Sequence, residues 1–289
     1  MSRVAIIGPG RLGTLLAVAC TRTGSRVVAV AGGAEQAREA LTSLVAGARP
    51  HDDLATAVAE ADQVLVTVPD DAIAGVVDEL VRADALGERH QVLHVAGSRG
   101  LAELGRAALA GARIAACHPA MTVPAGSTDP DLLVGVPWAV TAAPADLDWA
   151  RAFVEGLGGD AHEVGDDART TYHAALTLAS NAVGAAVATA RRLLLAAHVD
   201  DPAAFLGPLA HASVDNTARD GAAALTGPIA RGDVGTVRAH LERLAGDLPE
   251  LRAAYRHLGL ATLEPLKPAL DPAVAAEIEA LLLDTDGER

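Results

Sequence analysis

The sequence predicts an α/β domain built on a doubly wound parallel sheet, followed by an all-α domain. Short β-branched runs alternate with helical periods up to residue 164, whereas long Ala- and Leu-rich helical periods with hardly a β run follow from residue 165. A length of 289 residues, of which 51% are hydrophobic, suffices for two domains with separate cores. We therefore expect domains at residues 1–164 and 165–289.

The predicted elements of the first domain alternate strand and helix, as a parallel sheet requires. The predicted strands are 3–7, 26–30, 63–68, 91–95, 113–117, 138–141 and 161–164. The predicted helices are 12–20, 34–46, 54–59, 71–81, 101–110 and 146–157. In the second domain, proline and glycine divide the helical periods. These breaks are Asp201-Pro202, Gly207-Pro208, Gly227-Pro228 and Pro265.

The segment Gly8-Pro9-Gly10-Arg11-Leu12-Gly13 joins the first predicted strand to the first predicted helix. In such a segment the first glycine permits a tight turn, the second leaves room for a diphosphate, and the third lets helix and strand approach closely. The positive end of the helix then faces the anion. A strand before, a helix after and a second β run shortly beyond form the required context, so the segment predicts a dinucleotide cofactor. A purely structural turn is the alternative.

The end of the second predicted strand bears on which dinucleotide is bound. An NAD-preferring domain places Asp or Glu there, whereas this chain has Ala31-Gly32-Gly33. Because no carboxylate stands there to repel a 2′-phosphate and Arg38 follows about one helical turn later, NADPH is favoured over NADH. Arg11 either helps to neutralise phosphate or is a solvated arginine at the helix start.

Composition excludes several classes of partner. A net charge of −14 argues against nucleic acid and anionic membranes, and 2% aromatic residues leave few stacking platforms. The apolar N-terminal run is broken by the glycine loop, and polar residues interrupt the segment 174–190, so neither a signal peptide nor a membrane span is expected. Two cysteines, Cys20 and Cys117, suit a reducing compartment, here the cytoplasm, and no residue spacing suggests a metal site.

Several segments along nearly the whole chain carry a family resemblance. They are the glycine loop, Val68-Pro69-Asp70-Asp71-Ala72-Ile73, His94-Val95-Ala96-Gly97-Ser98, Cys117-His118-Pro119-Ala120-Met121-Thr122, Tyr172-His173-Ala174-Ala175, Ala179-Ser180-Asn181 and Leu225-Thr226-Gly227-Pro228-Ile229-Ala230-Arg231-Gly232-Asp233. With them the chain resembles the superfamily of 6-phosphogluconate dehydrogenase, β-hydroxyacid dehydrogenases, pyrroline-carboxylate reductase and ketopantoate reductase. It resembles more closely a bacterial Rossmann-like family whose C-terminal half was long catalogued as a domain of unknown function.

The resemblance implies a Rossmann domain followed by a helical domain, an NAD(P)-dependent oxidoreductase and a homodimer. Some members of the family are implicated as an alternative ketopantoate reductase, and this implies ketopantoate as the substrate. At the ends of later strands, Val68-Pro69-Asp70 either turns the backbone beneath a nicotinamide ribose or is a structural turn. Gly97-Ser98 and His118-Pro119 are expected to flank the reactive face of the nicotinamide. Relatives tend to have Ser at the position of Ala96, which leaves Ser98 as the nearby hydroxyl candidate.

A polar face follows the first helical period after residue 165. The residues that recur there at steps of three and four are Arg169, His173, Thr177, Ser180 and Gly184, with Asn181 at the margin. On a helix otherwise made of Ala, Leu and Val, such a face should meet water or a ligand.

Reduction of a keto group needs a proton or hydrogen-bond donor at its oxygen. In several branches of the superfamily that the chain resembles, this donor is a lysine that lies four residues before an Asn. Here that position is Thr177, and the single lysine, Lys267, lies near the chain end, so a lysine mechanism is not expected. Histidine titrates near neutrality, which makes His173 the first candidate for the general acid and His118 the second. A structural histidine is the alternative for each.

The remaining candidates would hold the substrate. Asn181 could polarise a carbonyl oxygen, and Thr177 lies on the same helix. A substrate carboxylate is best held by a guanidinium, for which Arg231 is the candidate, with Ser213 and Asn216 as further polar contacts. An architectural pair of Arg231 with Asp233 is the alternative.

These expectations converge on an NADPH-dependent reductase of a small 2-oxo acid that forms a homodimer. Two alternatives stay open. The same scaffold supports a cyclic-imine reductase or another hydroxyacid dehydrogenase, which fold analogy does not separate. A non-catalytic NADPH-binding regulator would explain the missing lysine.

Overall fold

The computed structural model describes residues 1–285, which divide into two compact units, Met1–Thr177 and a unit from Leu178 onward. The first unit contains an eight-stranded sheet. Its strands are β1 Arg3–Ile7, β2 Arg26–Ala31, β3 Arg49–His51, β4 Gln63–Val66, β5 Gln91–His94, β6 Arg113–Pro119, β7 Pro137–Ala142 and β8 Asp160–Glu163. The strand order is β3-β2-β1-β4-β5-β6-β7-β8. The predicted α/β class is confirmed, and the domain boundary after residue 164 stays a prediction.

Two features of the sheet differ from expectation. Strand β3 was not predicted, because Arg49-Pro50-His51 contains no β-branched residue, yet it pairs in parallel with Ala29–Ala31 of β2. Strand β7 runs antiparallel to β6, whereas the other neighbouring strands run parallel. The connection between β6 and β7 contains a 3₁₀ turn, Pro130–Leu133, and no α-helix that could carry the chain back for a parallel pairing.

Helices cover both faces of the sheet. They are α1 Arg11–Arg22, α2 Glu35–Leu44, α3 Leu54–Ala59, α4 Ile73–Arg82, α5 Gly105–Leu109, α6 Leu147–Gly156 and α7 Arg169–Thr177. The alternate residues Val4 and Ile6 of β1 pack in one core with α1 and α6, whereas Ala5 and Ile7 pack in the other with α3 and α4. Burial on both faces explains why central strands such as β1 are apolar runs rather than alternating ones.

The described residues of the second unit form helices and the turns between them, without a strand. After a π-helical turn, Leu178–Ala182, come α8 Val183–Ala196, α9 Pro202–Asp220, α10 Val234–Asp247, α11 Pro249–Leu263 and α12 Pro272–Leu283. Its core contains Ile229, Val237, Leu241, Leu263, Ile278 and Leu282. None of the helices in the described part of the chain combines the length and apolarity needed to cross a bilayer.

The predicted breaks in the second unit have different outcomes. Asp201 caps α9 by accepting hydrogen bonds from the backbone N–H groups of Ala203 and Ala204, and Pro202 occupies the first turn, as expected. The predicted break at Gly207-Pro208 is wrong, because Pro208 lies inside α9. Gly207 has no Cβ to clash with the proline ring, which makes a helical conformation before the proline less costly.

Candidate functional site

The glycine loop connects β1 to α1 and packs closely against the backbone that follows β4. The Gly8 N–H donates to the carbonyl of Ala31 over 2.9 Å, and Gly8 has a φ of +111°. A Cβ at Gly8 would lie 2.8 Å from backbone atoms of Thr67, and one at Gly13 would lie 2.2 Å from the Gly8 carbonyl oxygen. Gly8 and Gly13 are therefore required by the packing of the loop itself.

Gly10 has a different environment. A Cβ built there would meet no atom within 4 Å, so the packing of the loop does not require a glycine at this position. Gly10 is the N-cap of α1 and offers no side-chain cap, and the first turn contains no acidic residue. The N–H groups of this turn are left to bind an anion at the positive end of a 12-residue helix, with the exposed Arg11 beside them. These residues fit a diphosphate.

A buried arginine of α2, Arg38, lies beside the turn that follows β2. Arg38 is 7% exposed, and its Nη1 donates to the Gly33 carbonyl over 2.7 Å. Its Nη2 donates to Asp52, the residue after β3. The end of β2 itself has no carboxylate, as expected, but the unpredicted β3 brings Asp52 beside Arg38.

The ends of β4 and β5 lie together. Asp70 begins a 3₁₀ turn directly after Pro69, and Ser98 Oγ donates to Asp70 Oδ2 over 3.1 Å. Val68, partly buried, packs against the core on the α3 and α4 side of the sheet. Of the predicted residues, the structure thus joins Ser98 to Asp70.

His94, at the end of β5, has a positioning role that the sequence did not reveal. Its Nδ1 accepts from the Ala96 N–H over 3.2 Å, so the ring proton lies on Nε2, which donates to the Gly100 carbonyl over 3.0 Å. Burial lowers the pKa of His94 to about 4, which keeps the ring neutral. Asp166 accepts from the Leu101 N–H over 2.7 Å at the far end of the same segment. Both contacts hold the 95–101 segment that contains Gly97 and Ser98.

The two candidate histidines meet beside Gly97. The ring centroids of His118 and His173 are 5.7 Å apart in an edge-to-face arrangement. A Cβ on Gly97 would lie 2.3 Å from His173 Cδ2 and 3.0 Å from His118 Nε2, so this contact requires a glycine. His118 Nδ1 is 3.0 Å from the hydroxyl of Tyr172, a residue to which the sequence pattern assigned no role.

Burial lowers the pKa of His118 to about 4, and the charges of Arg169 and His173 act in the same direction. Burial also raises the pKa of the Tyr172 hydroxyl, although the charge of Arg169 opposes this effect. At neutral pH the cluster formed by His118, Tyr172 and His173 therefore contains a neutral His118 and a protonated Tyr172. The two can exchange a hydrogen bond without separating charge.

Arg169 lies beneath this cluster. Its side chain was expected to face water or a ligand, but only 1% of the residue is exposed, so that expectation is wrong. Nη2 donates to the Ala96 carbonyl over 2.6 Å, and Nη1 donates to Thr141 Oγ1 over 2.9 Å and to the Ala116 carbonyl over 3.4 Å. The carboxyl ends of parallel strands present carbonyl oxygens, and a buried guanidinium is their partner here. Arg169 thus links the segment that follows β5 to β6 and β7.

Other predicted residues lie outside this cluster. Thr177 is exposed at the end of α7. Asn181 lies in the π-helical turn of the second unit, and Ser213 and Asn216 lie on α9, where Asn216 Oδ1 accepts from Arg219. Arg231 is exposed, and Asp233 caps α10 through Thr236, whose hydrogen bonds lower the pKa of that carboxyl. Within residues 1–285, no group of three or more His, Cys, Asp or Glu side chains could hold a metal ion.

Comparison with known proteins matches each part of the chain separately. Residues 1–119 match the family described as "Rossmann-like domain", and residues 136–262 match the "Domain of unknown function (DUF2520)". A search of the curated proteins finds no match.

Solved structures share the fold over most of the chain. The chain is similar to BF3122 of Bacteroides fragilis, described as a candidate NADP oxidoreductase, with a TM-score of 0.76, 24% identity and coverage of 91% of this chain and 98% of that one. An imine reductase of Myxococcus stipitatus in complex with NADP+ has a TM-score of 0.59 and 20% identity, with coverage of 97% of this chain and 92% of that one. Pyrroline carboxylate reductase of Plasmodium falciparum with NADP bound has a TM-score of 0.58 and 11% identity, with coverage of 97% of this chain and 98% of that one. At these identities the likeness concerns the fold. The chain therefore combines an N-terminal region that matches the Rossmann-like domain model with a C-terminal region that matches the DUF2520 model.

Proposed function

We propose that this protein is an NADPH-dependent oxidoreductase that reduces a small 2-oxo acid, with 2-dehydropantoate (ketopantoate) as the leading substrate. One observation carries the proposal. The carboxyl edge of a single sheet holds both a glycine loop fitted to a diphosphate, after β1, and the cluster of His118, Tyr172 and His173, beginning at β6. This edge is where α/β sheets bind their ligands.

The residues that would hold the cofactor follow the strand ends in order. The backbone N–H groups of the loop would take the diphosphate, Gly32 and Arg38 would border the adenosine ribose, and Pro69 and Gly97 would border the nicotinamide. When bound, this cofactor supplies a hydride to the substrate carbon. The structures of fold relatives with NADP or NADP+ support the choice of cofactor.

His173 would supply the proton, and His118 would donate a hydrogen bond to the substrate oxygen. When the Tyr172 hydroxyl donates to His118 Nδ1, the proton of the neutral His118 ring resides on Nε2, the atom that faces Gly97. That N–H can donate to a substrate oxygen, and His173 is the second ring at the same place. The positive charge of Arg169 acts on this cluster and favours the negative charge that develops on the oxygen.

Charge also bears on the substrate class. The field of Arg169, which lowers the pKa of His118, favours an anionic keto acid over a cationic iminium ion. Asp70, at the end of β4, has the opposite sign and supports the alternative of a cyclic-imine substrate, as does the fold likeness to an imine reductase. Thr177, Asn181, Ser213, Asn216 and Arg231 remain the candidates for substrate contacts.

A substrate panel separates these possibilities. Purified protein with NADPH is mixed with ketopantoate, other 2-oxo acids or pyrroline-carboxylate, and the absorbance of the reduced cofactor is followed. We expect turnover with a 2-oxo acid. Turnover with the imine alone would replace the keto acid as substrate, and tight NADPH binding without any turnover would indicate a non-catalytic regulator.

We expect His173→Ala to lower kcat by about 100-fold while changing the Kd for NADPH by less than about threefold, because the ring acts on the substrate and not on the diphosphate. His118→Ala should have a similar effect. His162→Ala is the matched control, since His162 is exposed on β8 and bonds Asp160. Steady-state kinetics and cofactor titration measure both quantities. An unchanged kcat in His173→Ala would remove this residue from the chemistry.

We also propose that a second copy of the chain covers α8 and α9 to form a homodimer. Helix α8 has no buried residue, and Pro202 is the buried residue of α9. The exposed side chains on α9 include Phe205, 62% exposed, and Leu209, 66% exposed. Apolar surface of this extent is typical of an interface, and the same face on two copies can pair about a two-fold axis.

Light scattering during size-exclusion chromatography tests this pairing. We expect the mass of a dimer for the wild type and of a monomer for Leu209→Glu, because the interface would have to bury the carboxylate. Leu109→Glu is the control, since Leu109 is 86% exposed on α5 of the first unit and belongs to neither α8 nor α9. A wild-type monomer would contradict the proposal.

A further inference from the structure

We propose that Asp52 limits the selectivity of this protein for NADPH by competing with the 2′-phosphate of the cofactor for Arg38. This inference rests on the proposed binding of a nicotinamide dinucleotide. It concerns a residue that follows the unpredicted strand β3, and it gives that residue a role in cofactor choice.

Strand pairing brings Asp52 to the ribose end of the sheet. Ala31, the last residue of β2, is in register with His51, the last residue of β3. Asp52 therefore follows β3 at the level where Gly32 follows β2. In Rossmann domains the substituent at the ribose 2′ position lies at this end of β2.

Arg38 is held in place by its other contacts. Its side chain is 9% exposed, and Nη1 is anchored on the Gly33 carbonyl, 2.7 Å away. Nη2 pairs with Asp52, whose side chain is 95% exposed. A buried, anchored guanidinium thus meets a carboxylate that solvent surrounds, so the carboxylate is the member of the pair that can move away.

The neighbouring carboxylate, that of Asp53, has a structural role. Asp53 caps α3, accepting from the Thr56 N–H over 2.7 Å and from the Thr56 hydroxyl over 2.6 Å. These hydrogen bonds lower the pKa of the Asp53 carboxyl. Asp53 is therefore committed to local structure, which distinguishes it from Asp52.

The two members of the pair favour different cofactors. A guanidinium binds the 2′-phosphate of NADPH, whereas a carboxylate accepts the 2′-hydroxyl of NADH and repels a phosphate. With Asp52 present, a 2′-phosphate must displace a like charge to reach Arg38. With NADH, the carboxylate can accept the 2′-hydroxyl. The pair therefore lets both cofactors bind and keeps the preference for NADPH small.

Calorimetric titration of the full-length protein with NADP+ and with NAD+ tests this inference without requiring turnover. We expect Asp52→Asn to tighten NADP+ binding by about tenfold while NAD+ binding stays equal or weakens, because one nearby negative charge is removed. The gain should shrink at high salt, since Asp52 is exposed. Glu39→Gln is the control, because it removes the same charge from an exposed position on α2.

A double-mutant cycle with Arg38→Gln shows whether the effect passes through the guanidinium. We expect the gain from Asp52→Asn to be smaller in that background. A ratio of the two dissociation constants that Asp52→Asn leaves unchanged within about twofold would overturn the role of Asp52 alone. A wild type that binds neither dinucleotide would instead overturn the proposed function.

Discussion

Gly10→Val is expected to weaken NADPH binding by roughly 10³-fold, or about 4 kcal/mol, while leaving the stability of the fold unchanged. Gly10 has φ −77° and ψ −174°, an extended conformation that valine adopts readily, and its Cβ position is free of neighbours within 4 Å. The free protein therefore tolerates the side chain. The diphosphate would not, because the valine would occupy the space in front of the first turn of α1.

Thermal unfolding and cofactor titration of the same preparations measure the two effects. Gly75→Val is the matched control, since Gly75 lies on α4, also has an open Cβ position and is remote from the loop in sequence. Gly13 would be a poor choice, because a Cβ there would meet the Gly8 carbonyl at 2.2 Å and disturb the fold itself. Retention of wild-type NADPH affinity in Gly10→Val would mean that this loop does not hold the diphosphate.

Arg169→Met is expected to lower the free energy of unfolding by about 3 kcal/mol, because it leaves buried acceptors without a donor. Methionine approximates the length of the arginine side chain, so loss of packing is kept small. The groups that lose their hydrogen bonds are the Ala96 carbonyl and Thr141 Oγ1. Denaturant titration measures the change. Arg151→Met is the control, since Arg151 forms a solvent-exposed ion pair with Glu163.

The same variant should alter the pH dependence of His118. The charge of Arg169 is one of the causes that lower the pKa of His118 to about 4, below the usual value of 6.5, so its removal should raise this pKa. In the wild type, the unfolded state takes up a proton before the folded state does, and the stability gained from a neutral His118 is therefore lost as the pH falls from 6.5 to about 4. We expect a shallower loss in Arg169→Met. Titration of the His118 ring by NMR checks the direction, and an unmoved pKa would contradict the role of the arginine.

Local sequence patterns were sufficient to predict the structure where a residue's environment is set by its neighbours in sequence. Seven of the eight strands were predicted near their observed positions, and six of them, all except β8, are largely buried apolar runs. The glycine loop was recognised because its three glycines and flanking elements are contiguous. Asp201-Pro202 predicted the start of α9 for the same reason.

The sequence did not predict the position of a residue correctly where strand pairing or burial determined that position. Strand β3 has no β-branched residue, so its pairing with β2 rests on backbone hydrogen bonds. Without this strand, the sequence could not predict that Asp52 lies beside Arg38. Arg169 occurs in a polar helical pattern that resembles a solvated face. It is buried because carbonyl groups from distant strands require a donor there.

By itself, the sequence determined the α/β class, the glycine loop at the start of α1 and the identity of the two candidate histidines, since each follows from residue type and short-range spacing. Only the tertiary structure decided that His118, Tyr172 and His173 meet beside Gly97, that Arg169 lies beneath them, and that Asp52 pairs with Arg38. These contacts join residues far apart in the chain. They depend on strand order and on which polar groups burial leaves to be satisfied, and neither quantity is encoded in a local pattern.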